Sequence, residues 1–377
     1  MKIRGMRGCC KYVMGFHFDQ GRFSLNKGSA PGTVVDAYYA PQPPWGGAYQ
    51  VQTGYPYPLP YFHTSGNTSI DGLGKRFYYS VVYGGGTGGL GGKAGFGSLW
   101  RDSVLGSSES TRELVIESDQ LWEDGTHQLF VPFFVSFQVY PSLDLIIGFK
   151  RRVKEEEKEG WRSTLDGDSI QFSNFDNLER TEGTAAVAAG RVGGTVSYNP
   201  PFFTVDIETS TIYYVGITET ELTPHPSYTS TYQEEIVSAN LDGSGSSVLW
   251  SGTTDQDFIT GLCIQYTPEK KIWFSYEENT TGTLLFPGTA YLKKMNVGGG
   301  GLETILSGND ERMNGIQYSH SKDLLYYSQE GKMKRIKPDG SGGAIVGFFG
   351  ENFPLRGNRP VPQFHLFPPL SELDAYS

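Results

Sequence analysis

Asn314 to Gly343 reads NGIQYSHSKDLLYYSQEGKMKRIKPDGSGG. Ile316 and Tyr318 alternate with polar residues, a polar turn follows, and Leu325-Tyr326-Tyr327-Ser328 forms an aromatic run. A third run carries Met333 and Arg335 and ends in the turn residues Pro338-Asp339-Gly340. Alternation between turn signals is the pattern of half-buried strands, so the stretch predicts a three-stranded antiparallel meander. A lone meander cannot cover both of its faces and needs neighbours of its own kind.

The chain supplies those neighbours. FFTVDIETSTIYYVG leads to EEIVSANLDGSGSSVLWSG, and ITGLCIQYTPEKKIWFSY leads to AYLKKMNVGGGGLETILSG. Laid over the first unit, Tyr213, Trp273 and Tyr326 coincide, as do the turns Asp242-Gly243, Gly298-Gly299 and Asp339-Gly340. A strand-only repeat of roughly 50 to 60 residues points to a β-propeller, whose sheets stack around an axis. The expectation is an all-β, six-bladed β-propeller with degenerate blades one and three and long loop insertions. Its blades span about 12–70, 71–122, 127–180, 184–252, 257–308 and 312–350, in one domain over 1–377.

Composition agrees with that class. Gly 50, Tyr 23 and Phe 23 suit tight turns and pleated, half-buried surfaces. A net charge of −10 disfavours nucleic acid as a partner, because phosphates demand a basic face. No run of 18 or more apolar residues predicts a transmembrane segment. The basic start MKIRGMRGCCKYVMGFHF lacks the apolar stretch of a secretory signal. Three cysteines, Cys9, Cys10 and Cys263, make no disulfide framework, and Cys9-Cys10 on a strand would point to opposite faces. The sequons at Asn67 and Asn279 matter only in a secretory compartment.

Along the chain, residues 12–26 start blade one. Ala37 to Asn67 is rich in Pro, Tyr and Gly, so it reads as an ordered excursion packed by its aromatics. Gly84 to Gly97 superficially suggests a phosphate loop, yet Gly92-Lys93-Ala94 lacks the hydroxyl of a Walker motif. It reads as a hairpin loop. Lys150 to Glu159, KRRVKEEEKE, is a solvated hairpin tip or a short helix, and 175–198 is assigned a fourth strand and a connector. The tail 351–377 contains Phe364 to Phe367, expected to cross back to the N-terminal blade and close the ring, since an open one would expose two sheet edges.

At the repeats the chain resembles the six-bladed propellers of the low-density-lipoprotein receptor class B, or Tyr-Trp-Thr-Asp, family. The carriers are Tyr213-Tyr214, Trp273-Phe274-Ser275, Tyr326-Tyr327-Ser328 and Tyr78-Tyr79-Ser80, with the turns in IVSANLDGSG (236–245) and KPDGS (337–341). The resemblance covers about 199–349. It implies an acidic, hydrogen-bonded layer between blades, but Gly216, Tyr276, Gln329 and Val81 stand where the motif has its final Asp. That layer must be built differently here.

Met313-Asn314-Gly315-Ile316 is similar to the Pro-Asn-Gly strand of gluconolactonase and strictosidine-synthase-like propellers. That resemblance implies Asn314 as a ligand of an axial divalent ion, with Asn199 and Asp257 placed near the same mouth. Oxygen ligands suit Ca2+ or Mg2+. The flanks Asn199-Pro200-Pro201 and Asp257-Phe258-Ile259 depart from that family's pattern, and Asn-Gly is also a turn dipeptide.

None of the six histidines has metal-ligand spacing, and no Gly-x-Ser-x-Gly elbow is present. Long, aromatic and proline-rich loop insertions concentrate instead in 37–67 and in 217–233, ITETELTPHPSYTSTYQ. Trp45, Tyr49, Tyr55, Tyr57, Tyr228 and Tyr232 are therefore the binding candidates, because Trp and Tyr anchor interfaces. The leading expectation is a non-enzymatic protein-interaction or structural propeller without cofactor. It would have a protein partner or assembly neighbours, in an extracellular or particle-surface setting. The alternatives are a lactonase or esterase using Ca2+, and a glycan-binding propeller.

Overall fold

The computed structural model describes residues 12–17, 22–27, 34–39, 68–71, 74, 76–82, 97–103, 113–117, 134–150, 160–175, 202–223, 229–253, 257–278, 289–308, 313–329, 332–348 and 364–367. Among them every regular element is a strand except the single 3-10 turn Pro141–Leu143. No described helix is long and apolar enough to cross a membrane. The chain divides into two compact units. One comprises Met1–Gly28, Thr33–Ser173 and Pro362–Tyr376, the other Asn174–Val361 with Ser29–Gly32 and Ser377.

The first unit holds β1 (Tyr12–His17), β2 (Arg22–Lys27) and β3 (Val34–Tyr39). β4 (Thr68–Asp71), β5 (Arg76–Val82), β6 (Gly97–Ser103) and β7 (Glu113–Glu117) form one four-stranded meander. β8 (Phe134–Tyr140), β9 (Leu145–Lys150), β10 (Gly160–Ser163) and β11 (Gln171–Ser173) form another. The second unit holds three: β12 (Phe203–Asp206) to β13 (Thr211–Thr223), β14 (Thr229–Asn240) and β15 (Ser247–Ser251); β16 (Asp257–Gln265) to β17 (Lys271–Glu278), β18 (Thr289–Asn296) and β19 (Glu303–Gly308); β20 (Asn314–Ser319) to β21 (Leu324–Gln329), β22 (Lys332–Ile336) and β23 (Ala344–Phe348). β24 (Phe364–Phe367) pairs antiparallel with β1, so the order of that sheet is β24-β1-β2-β3. The quoted stretch supplies β20, β21 and β22, with strands and turns where its residues place them.

Four readings need correction. The inner strands are not half-buried: β12 is buried throughout, and β17 is buried from Ile272 to Glu277 because the β12–β15 and β20–β23 sheets cover its two faces. β15 and β19, the outermost strands, are only half-buried or exposed. Residues 217–223 and 229–233 are not a loop insertion but the far ends of β13 and β14, paired up to Thr223 with Thr229. The fourth strand of the β8 sheet is Gln171–Ser173, not the small-residue segment at 183–195, which lies outside the described residues. The β4 strand starts at Thr68, so its sheet takes in three residues assigned to the preceding blade.

One local device recurs. Gly167, Gly243, Gly299 and Gly340 adopt φ of +83°, +82°, +82° and +83°. Each closes the hairpin after a third strand, its N–H donating to a carbonyl three residues back: Thr164, Asn240, Asn296 and Lys337. This is a type I turn ending in a left-handed glycine, which sets the register of the fourth strand. Within each unit these glycines sit against neighbouring backbone. A Cβ on Gly167 would stand 2.0 Å from the Val115 carbonyl oxygen on β7, one on Gly299 3.4 Å from that of Leu249 on β15, and one on Gly340 3.4 Å from that of Ile305 on β19. A turn thus tucks under the outer strand of the sheet before it.

Cys263 lies in the core formed with Trp273, Leu292, Ile316, Tyr318 and Leu325. Burial pushes its thiol up, against a smaller opposing effect of the Tyr318 backbone. Iodoacetamide at about pH 8 is expected to leave Cys263 unmodified in folded protein and label it after denaturation, read by peptide mass spectrometry. Labelling of native protein would contradict this packing.

Candidate interaction site

The polar groups inside the second unit join sheet to sheet. Glu234 on β14 is buried, and its Oε2 accepts the Ile259 N–H of β16 at 2.6 Å. Thr260 donates to the Met313 carbonyl and shares a 2.9 Å hydrogen bond with Ser275 Oγ. The Tyr266 hydroxyl accepts from Ile207 N–H at 2.9 Å and donates to the Val205 carbonyl at 3.3 Å. Its own N–H donates to His320 Nε2 at 3.2 Å. Lys270 reaches back to Asp206 at 2.7 Å and Glu208 at 2.8 Å. Burial, the Asp206 charge and the opposing Lys270 leave the Tyr213 phenol pushed up to about 12. Sheet-to-sheet polar contacts in this unit are therefore made by a third-strand glutamate, a threonine and a tyrosine.

Third-strand cations add a second layer. Arg101 on β6 stands opposite Tyr78, and Lys294 on β18 stands opposite Trp273. Arg101 donates to the Leu165 carbonyl at 3.0 Å and to Asp166 at 2.6 Å; Lys294 donates to the Pro338 carbonyl at 3.0 Å. Both target the glycine turn of the next sheet. Burial pulls the Arg101 guanidinium down, but its hydrogen bonds to Asp166, Tyr78 and Glu113 outweigh that and raise it. Charge-assisted bonds of this kind are the strong ones.

The aromatic groups gather elsewhere, in the seam between the β12–β15 and β16–β19 sheets. Trp250 stands 4.9 Å from Phe274 and 5.4 Å from Tyr276 between ring centroids. Tyr276 and Tyr291, a cross-strand pair, stack at 4.8 Å with a 12° interplanar angle. Lys293 Nζ sits 4.8 Å from the centre of the first ring and 5.0 Å from the second. Tyr291 donates to Glu278 Oε2 at 3.0 Å. Trp250, Tyr291, Lys293 and Glu278 are half-buried, so this cluster reaches solvent, whereas Phe274 and Tyr276 are buried beneath it. Such a platform can hold apolar and cationic groups at once.

Beside it β13 and β14 outrun their sheet. β12 pairs with β13 only over Thr211–Tyr214, and β15 with β14 only over Glu235–Ser238. From Ile217 to Gln233 the described pairing is that of the two strands with each other. At the root of this extension Glu235 accepts from Thr218 Oγ1 at 2.9 Å and from Ser251 Oγ at 3.1 Å, and Gln233 Nε2 donates to the Gly252 carbonyl.

Of the residues singled out from the sequence, Trp45, Tyr49, Tyr55, Tyr57, Tyr228 and Asn199 lie outside the described residues. Tyr232 is on the β14 extension, opposite Glu219. Asn314 opens β20 and Asp257 opens β16, but register does not bring them to one level. Cys263 opposite Trp273 corresponds to Gln317 opposite Tyr326, and Asn314 opposite Ser328 then corresponds to Gly261 opposite Ser275. Asp257 stands four residues before Gly261. Thr260, between these levels, spends its hydroxyl on Met313 and Ser275. Among the described residues no three His, Cys, Asp or Glu side chains are grouped to hold a metal. Trp250, Tyr276 and Tyr291 were missed because they come from three strands; the signal was Trp250 closing a repeat in VLWSG.

No protein-family model matches the chain, and no curated protein matches its sequence. Solved structures do. A chain of a nidogen/laminin complex matches with a TM-score of 0.51 at 10% identity, over 89% of this chain and 96% of that one. A TolB-like protein from Agrobacterium tumefaciens matches with a TM-score of 0.46 at 12% identity, over 90% and 89%. An oligogalacturonate lyase in complex with manganese matches with a TM-score of 0.41 at 10% identity, over 76% and 65%. The first of these shows the fold: the chain is an all-β propeller.

Proposed function

We propose that this propeller is a non-enzymatic protein-interaction or structural module, working as one subunit of a larger assembly at a particle surface or outside the cell. The observation that carries the reading is the half-exposed seam of Trp250, Tyr291 and Lys293 beside a hairpin that outruns its sheet. Aromatic anchors within a partly polar surround are what interfaces favour. The described buried polar groups, by contrast, hydrogen-bond from sheet to sheet. Native mass spectrometry of the protein isolated from its source, with metal analysis on the same sample, tests the proposal. A defined oligomer or a stoichiometric co-purifying chain is the expected result. A monomer with one tightly held divalent ion and lactone hydrolysis would overturn it in favour of a hydrolase.

The same reading includes a six-bladed ring of the Tyr-Trp-Thr-Asp type, closed by the tail. Six four-stranded sheets and the pairing of β24 with β1 support it. So does register: the irregularity at Leu25/Asn26 matches those at Leu292/Lys293 and Met333/Lys334, which puts Lys27 where Lys294 and Arg335 stand. The spacing from Lys27 to Gly32 then repeats that from Arg335 to Gly340. Hydrogen exchange checks closure: the amides of Phe364–Phe367 should exchange as slowly as those of β1. Fast exchange in β24 alone would remove the closing role.

A further inference from the structure

We infer that His320 is an acid-sensitive joint between the β16–β19 and β20–β23 sheets, closed at neutral pH and released below about pH 6.5, where a free imidazole takes up its second proton. The Tyr266 N–H, just past β16, donates to Nε2 of His320, just past β20, at 3.2 Å. An imidazole nitrogen accepts only while it carries no proton, so the joint requires the neutral ring with its proton on Nδ1. A second proton would set N–H against N–H. His320 is half-buried, so solvent protons reach it, whereas Tyr266 is buried.

The joint bears on three sheets through Tyr266. Its hydroxyl accepts from the Ile207 N–H and donates to the Val205 carbonyl, at the end of β12, while its own N–H meets His320. The rings of Tyr266 and Tyr318 flank the imidazole at 5.3 Å and 4.9 Å between centroids and hold its plane. Ring faces also attract a cation, but this is the smaller effect, because protonation removes the hydrogen bond and leaves two donors face to face. The other titratable groups here do not supply the change. The Tyr318 hydroxyl donates to Asp323, and burial together with that bond pushes its phenol up. Lys270, 5.5 Å from the centre of the Tyr266 ring, holds both Asp206 and Glu208. Lys322 is exposed, and burial pushes the Cys263 thiol up. Each of these carboxylates has a donor, and the phenol, ammonium and thiol keep their charge between about pH 5 and 8, which leaves the imidazole to titrate there.

The test is amide hydrogen exchange of the full chain at about pH 7.5 and about pH 5.5, read as protection factors so that the intrinsic pH dependence of exchange drops out. Closing requires the neutral ring and opening frees it to bind a proton, so opening gains as pH falls. One unit below about 6.5 the released imidazole is about ten-to-one protonated, so protection at Tyr266 should fall about tenfold. Phe274, paired within its own sheet to Leu262, should change less than about twofold. His320→Gln offers an acceptor oxygen that does not titrate, and circular dichroism checks that it folds; its Tyr266 protection should stay within about twofold between the two pH values. An equal fall in this variant would assign the effect to another group and overturn the joint, as would unchanged protection at Tyr266 in the parent. If the variant does not fold, the imidazole nitrogen shifts of His320 in the parent decide. A ring protonated on Nδ1 at about pH 7.5, gaining its second proton in step with the loss at Tyr266, supports the joint; a ring protonated on Nε2 at that pH overturns it.

Discussion

Replacing Gly243 by alanine is expected to destabilise the second unit by about 3 kcal/mol or more, the sum of a left-handed backbone penalty and an overpacking penalty. Gly243 has φ +82°, and a Cβ there would lie 1.7 Å from the Asn174 carbonyl oxygen, a backbone atom that cannot swing aside. Gly299 is the informative comparison. It has the same φ, but its Cβ would stand 3.4 Å from the nearest backbone oxygen, ordinary contact. Gly299→Ala should therefore show the conformational penalty alone, about 1 to 2 kcal/mol. Urea unfolding of both variants, followed by far-ultraviolet circular dichroism, measures the difference. Equal losses would mean that the close approach of Gly243 to Asn174 contributes nothing.

Glu234→Ala is the second large effect, at about 2 to 3 kcal/mol. The substitution strands the Ile259 N–H, which donates to the glutamate at 2.6 Å inside the unit. A buried donor left without an acceptor carries its full desolvation penalty, larger than the net worth of an ordinary hydrogen bond. Glu234→Gln keeps an acceptor oxygen and should lose about half as much, because a neutral acceptor binds about half as strongly as a carboxylate. Amide exchange at Ile259 should speed up in the alanine variant well ahead of that at Leu262, which pairs within the ladder to Phe274. An alanine variant within about 0.5 kcal/mol of the parent, with unchanged exchange at Ile259, would show that this carboxylate does not join the two sheets.

The strands were legible where local chemistry decides them. Tyr213, Trp273 and Tyr326 fall on second strands, and the turns at Gly243, Gly299 and Gly340 need positive φ, which glycine adopts freely. What sequence could not show depends on neighbours. Ile272 to Glu277 are buried on both faces because a sheet lies on either side, and alternation alone describes only one covered face. ITETELT and TSTYQ looked like loop because they carry no apolar period; only the pairing of one with the other makes them strand. The site was legible in kind and not in place. Tyr and Trp were the right residue types, yet the assembled cluster joins Trp250, Tyr276 and Tyr291 through register across three strands. Of the oxygen ligands named together, Asn314 and Asp257 open strands at different register levels, which only strand pairing reveals, and Asn199 lies outside the described residues.

The tucked glycine turn has a consequence for synthesis. The outer strands β7, β15 and β19 are each capped by a turn that lies one repeat later in the chain: Gly167 for Val115, Gly299 for Leu249 and Gly340 for Ile305. As the chain leaves the ribosome, each of these strands stays uncapped until the following repeat has emerged. For these three strands completion therefore runs from the N-terminus toward the C-terminus, the following repeat finishing its predecessor, and a chain stalled before that repeat leaves an unfinished edge that a chaperone or a protease can read.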